Sequence, residues 1–156
     1  MKNEKIKSLL ISFLWISLII MIGAFIVGSF LFIFDAINGK VTLSILFKKI
    51  FVAIVLLGYA VLMYILLGIA NSFKESAFVR ANVKRFNYIG YIFFIEALVQ
   101  AIYSSIVTPG HGLFEIFGIN VTIELVSVAI ISLTFFFIAD VFDKAIKIKE
   151  VNDLTI

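Results

Sequence analysis

Long apolar runs alternate with short polar breaks along this chain, and four of the runs are long enough to cross a bilayer. A spanning helix needs about 20 apolar residues for about 30 Å of hydrocarbon. The first run, 9–34, ends at Asp35 and the Asn38-Gly39 turn signal. The second, 50–70, is entered through Lys48-Lys49, and the apolar segment Val41–Phe47 before it allows an earlier start. The third, 89–107, stops at Thr108-Pro109-Gly110. The fourth, 119–139, runs into Asp140, Asp143 and Lys144. The pattern predicts an all-α polytopic membrane protein: one domain of four transmembrane helices in two hairpins. The tail, 140–156, is expected to continue helix four and then end in a short polar stretch.

One interior segment departs from this pattern. The hinge, 71–88, carries Lys74, Glu75, Arg80, Lys84 and Arg85 between helices two and three. It is predicted to form a short cytoplasmic amphipathic helix. Phe78, Val79, Val83 and Phe86 would face the membrane or the helix ends, with Lys84 and Arg85 toward water and headgroups.

Composition strengthens the membrane reading. The chain is 63% hydrophobic with a mean hydropathy of +1.18, against about 45–50% apolar residues in soluble domains. Cysteine is absent and His111 is the single histidine. That argues against a disulfide framework, a thiolate metal site and a histidine cluster. His111 has only Glu115 nearby, and a metal site needs several ligands. The spans hold no Ser/Lys pair, so no enzyme activity, cofactor or metal is expected. Lys2, Lys5 and Lys7 could open a secretory signal, but the following run far exceeds an h-region of about 7–15 residues. It is read as a retained first span.

Charge placement sets the expected orientation. Ten of the thirteen basic residues fall before helix one, in the hinge or after helix four. By the positive-inside rule these regions face the cytoplasm, as do both termini. Lys48 and Lys49 on the other side are expected to snorkel to the interface. The hinge charges are accounted for by this rule and by anionic headgroups; direct nucleic-acid binding is not expected.

Polar groups inside the spans are the candidate chemistry. Glu96 lies about 10 Å along helix three from its inner end, where a carboxylate is expensive. Gln100 and Tyr103 share its face, beside the small residues Ala97, Ala101 and Ser105. Tyr64 of helix two is placed at a similar height. One reading is a proton or substrate relay; the other is a neutral Glu96 hydrogen-bonded to Gln100 or Tyr64 as interhelical glue. Glu124, about 10 Å away in depth, is expected in the headgroup zone, too far for a carboxylate dyad. Asp140 and Asp143 are expected to pair with Lys144 and Lys147 at helical spacing. Ala24-x-x-x-Gly28 is a packing notch, compatible with an oligomer. Asn120-Val121-Thr122 fits a glycosylation acceptor pattern and is read as coincidence.

Two short stretches resemble a known family. Phe78-Val79-Arg80-Ala81-Asn82-Val83-Lys84-Arg85-Phe86-Asn87-Tyr88-Ile89-Gly90 is similar to the "PF…ENVKRLRxIG" segment of small bacterial four-span proteins grouped as domain of unknown function 2975. Glu150-Val151-Asn152-Asp153-Leu154-Thr155-Ile156 looks like that family's "EENDLTI" segment. Ala77 stands where the family usually has proline, and Ala81 where it has glutamate. The resemblance implies a bacterial plasma-membrane protein whose genes often neighbour a very short helix-turn-helix regulator. It also implies partner-binding candidates in the matching stretches: Phe78, Asn82, Lys84, Arg85, Asn152, Asp153 and Leu154. The leading expectation is a membrane component that binds or restrains such a regulator. A proton-coupled carrier using Glu96 and an immunity protein against a membrane-active peptide are the alternatives.

Overall fold

The computed structural model describes residues 2–72, 78–107, 109–110 and 112–153. Lys74, Glu75, His111 and Leu154 therefore lie outside the described residues. Four long helices dominate: α1 (Lys2–Ile37), α2 (Leu43–Ser72), α3 (Arg80–Val107) and α4 (Ile123–Asp153). Each is long and apolar enough to span a membrane. At 1.5 Å per residue all four exceed the hydrocarbon thickness, so each extends past it.

The observed helix bounds differ from the expected ones for local reasons. Helix two starts at Leu43 because Thr42 caps it, with the Ile45 amide donating to Thr42 Oγ1 at 3.4 Å. The fourth helix was expected from residue 119; it begins at Ile123 instead. Thr122 is its cap, accepting from the Leu125 amide at 3.1 Å, and Glu124 sits in the first turn, where a carboxylate suits the helix dipole. Residues 119–121 belong to a strand. Phe114–Ile116 (β1) pairs antiparallel with Ile119–Val121 (β2), opposing Ile116 to Ile119. The two turn residues, Phe117 and Gly118, have φ of 51° and 81°, the positive values of a tight hairpin turn.

Nor do the described hinge residues form a separate helix. Arg80 to Tyr88 are the opening turns of α3, continuous with its apolar run. The tail likewise continues α4 without a break to Asp153.

Packing is uneven. The α3–α4 contact is the largest, followed by α1–α2 and then α2–α3. One buried cluster joins Leu62 and Ile69 of α2, Phe86, Ile89 and Phe93 of α3, and Ala139 of α4. The other seats Leu14 and Leu18 of α1 on Leu67 and Ala70 of α2. Long rows of exposed Ile, Leu, Val and Phe cover the outer helix faces. Apolar surface on this scale marks contact with a lipid bilayer.

Candidate functional site

Three polar arrangements stand out against this apolar background. At the hinge end, where α2 leaves and α3 begins, Asn82 is fully buried. Its Nδ2 donates to Ser72 Oγ at 2.8 Å, and its Oδ1 accepts from Arg85 Nη1 at 2.9 Å. The Ser72 hydroxyl donates to the Ile69 carbonyl at 2.6 Å. The Arg85 guanidinium lies against Gly68, where an added Cβ would sit 2.9 Å from Nε. A cation over the last turn of α2 complements the negative end of that helix.

At the same end, α3 is tied to the α4 extension. Arg80 makes a two-pronged contact with Glu150, Nη2 to Oε2 at 2.7 Å and Nε to Oε1 at 3.2 Å. Its Nη1 is 3.9 Å from Asp143 Oδ1. Glu150 beside it raises the Arg80 guanidinium above its ordinary value. The hydrogen bond from Lys147, and then the charges of Lys147 and Arg80, hold Asp143 below the usual carboxylate value. Lys147 reaches Asp143 at 2.6 Å and Lys144 reaches Asp140 at 2.6 Å, as helical spacing predicts. Phe78 packs on Phe142, with ring centroids 5.3 Å apart.

The third arrangement is in mid-span. Glu96 is half-buried between α2 and α3 and faces Tyr59. The expected partners, Tyr64 and Gln100, are not the residues it meets. Tyr64 is 69% exposed on another face of α2, and no hydrogen bond joins Gln100 to Glu96 among the described residues. The reason is register. Antiparallel pairing sets Phe51 on Tyr103 at 4.1 Å, Tyr59 on Glu96 and Ser72 on Asn82. On that register position 64 is level with position 90, about 9 Å from Glu96 along the axis. Heights counted from expected helix starts could not reveal it. Glu124 is exposed, at the opposite end of the bundle from the hinge.

Of the partner candidates, Asn82 and Arg85 are committed to the α2–α3 contact and Phe78 to Phe142. Lys84 and Asn152 are exposed. Asp153 closes α4. Among the described residues, no group of three or more His, Cys, Asp and Glu gathers as metal ligands.

Two further locks join parts of the fold that the sequence pattern does not connect. Asn120 Nδ2 donates to the Ser104 carbonyl at 3.1 Å, and Ser104 Oγ donates to the Asn120 carbonyl at 2.9 Å. The Asn120 amide also donates to Ser105 Oγ at 3.2 Å. This buried clasp fixes the β-hairpin to the end of α3. In mid-span, Ser132 Oγ of α4 donates to the Gly90 carbonyl at 2.9 Å. A Cβ on Gly90 would lie 2.7 Å from the Phe136 ring, so only glycine permits this approach. The available signal was polar and small residues inside apolar runs, which in membranes mark helix contacts. Compared with known proteins, the chain matches no family model, no curated protein and no solved structure.

Proposed function

We propose that this chain is a membrane-bound interaction component that docks or restrains a small cytoplasmic helix-turn-helix regulator. In this reading it lies in a bacterial plasma membrane with both termini and the α2–α3 connection in the cytoplasm. The distribution of lysine and arginine supports that orientation. The likeness of 78–90 and 150–156 to the four-span family supports the choice of partner.

The observation that carries the proposal is the union of hinge and tail. Residues about 70 apart in sequence, Arg80 and Glu150, meet at 2.7 Å. Counted from Ile123, about 20 residues of α4 fill the hydrocarbon. Ile148 and Val151 then lie about 9–14 Å beyond it. They are 63% and 64% exposed and three residues apart, so they share one helix face. Apolar side chains at that spacing anchor helix-in-groove contacts. Lys84 and Lys149 add exposed positive charge at the same end.

Co-purification tests the reading directly. The full chain, extracted from membranes, should retain a very short helix-turn-helix regulator of the kind the resemblance implies. A chain lacking residues 146–156, or carrying Ile148→Glu with Val151→Glu, should lose it. Failure of the intact chain to retain the regulator would overturn the proposal, as would equal retention by all three forms.

A further inference from the structure

Glu96 opens onto a groove that the docking proposal does not use. The groove runs between α2 and α3, faces the lipid, and has a cavity volume of about 210 Å³. Ile54, Leu57, Gly58, Val61, Ile92 and Ile95 line it, and Glu96 is its one ionisable side chain. From Ile54 to Val61 it extends about 10 Å along α2.

Two features shape it. Gly58 leaves the wall hollow; a Cβ there would meet Ile92 Cγ2 at an ordinary 3.7 Å, so the space is real and could be filled. Tyr59 faces Glu96 from the protein side, and its own ring rests edge-on against Phe93, centroids 6.5 Å apart. Glu96 takes part in none of the ion pairs among the described residues. A carboxylate in hydrocarbon is costly without a counter-charge. A cation would supply that counter-charge, and the walls around the carboxylate suit an apolar body.

We infer that the α2–α3 groove is a binding site for a monovalent organic cation with an apolar tail, entering from the lipid phase. The cation pairs with Glu96 and the tail lies along Gly58 and Ile95. This inference stands independently of the regulator proposal, because it involves no residue of the hinge or tail.

The test uses the whole chain in lipid nanodiscs and radiolabelled decylammonium, with empty nanodiscs as the partition blank. The intact chain should show a saturable component at one cation per chain. Glu96→Gln should weaken it about tenfold or more, the factor carried by about 1.4 kcal/mol. Gly58→Leu, which fills the groove and leaves Glu96 in place, should weaken it similarly. Glu124→Gln, at the far end of α4, should leave it unchanged. Decanol, with the same tail and no charge, should only partition. The inference is overturned if Glu96→Gln binds as well as the intact chain, if Glu124→Gln loses binding equally, or if decanol saturates. A second readout needs no variant. Dicyclohexylcarbodiimide should label Glu96 from the lipid, detected by mass spectrometry, and decylammonium should slow that labelling. Labelling that decylammonium does not slow also overturns it.

Discussion

Helices α1 and α4 are both apolar enough to span a membrane, yet they are held in opposite ways. Helix α4 is locked to α3 along its whole length. The Asn120 clasp holds one end, Ser132 and Gly90 the middle, and Arg80 with Glu150 the other end. Between these, Phe86 packs on Phe135 and Phe142. Helix α1 has the higher mean hydropathy of the two and the same share of its apolar stretch buried, but its buried residues among those described, Leu14 and Leu18, are apolar and confined to its first half. Its Gly23 and Gly28 have nothing within 4 Å of an added Cβ. Farther along, α1 and α2 leave a cavity of about 200 Å³ lined by Ala24, Gly28, Lys49 and Ala53. Lipid tails are as apolar as leucine, so oiliness alone gives helices no reason to associate. Close approach and satisfied polar groups do.

The sharpest way to break this contrast is to move bulk between the two pairs. Gly90→Leu drives a side chain into Phe136 and should cost about 3 kcal/mol, at the upper end for overpacking, read as reduced resistance to denaturing detergent. Gly28→Leu should be neutral or slightly stabilising, since leucine favours helix by nearly 1 kcal/mol over glycine. Equal losses for the two would erase the distinction.

Asn120→Ala comes next. It removes the bond to the Ser104 carbonyl from a buried site and should cost about 1–2 kcal/mol. Hydrogen exchange should rise in the β-hairpin and at the start of α4, and leave α1 unchanged. Ser132→Ala is smaller, about 0.6 kcal/mol, because interhelical hydrogen bonds in membranes average near that value and the Gly90 carbonyl keeps its own helix. It should be readable in the same detergent titration.

The Arg80–Glu150 contact gives the smallest effect, since exposed ion pairs contribute little. Arg80→Glu should loosen only the α4 extension, seen as faster motion of a nitroxide at position 151, without lowering global stability. Acid should act the same way. Asp143 is held below its ordinary value of 3.8, so its contribution is present above that pH and lost as pH falls through the lower, folded value. Mobility at 151 should therefore be flat between pH 6 and 8 and rise only in strong acid.

How much of this was legible beforehand follows the same division. The four spans could be read because runs such as 50–70 and 89–107 meet a length requirement set by the bilayer. The continuation of α4 past Asp140 followed from Lys144 and Lys147 at helical spacing. Positions that depend on register were not legible. Tyr59 rather than Tyr64 meets Glu96 because α2 and α3 pair antiparallel in a register fixed by Phe51, Tyr103, Ser72 and Asn82, which no single run encodes. The Asn120 clasp was hidden because strand β2 occupies the start of an apolar run that reads as helix. Thr122 was the signal for the true start, a capping residue three positions before Leu125. The hinge was visible as a charged break, but its burial of Asn82 against Ser72 required the tertiary contact itself.

The chain lacks cysteine, so pairs of spin labels can be placed without background. The most direct test compares two distance distributions in lipid: residues 84 and 149 across α3–α4, and residues 27 and 52 across the open part of α1–α2. The account predicts a narrow distribution for the first pair and a distinctly broader one for the second. A first pair as broad as the second, or a narrow distribution confined to α1–α2, would contradict it.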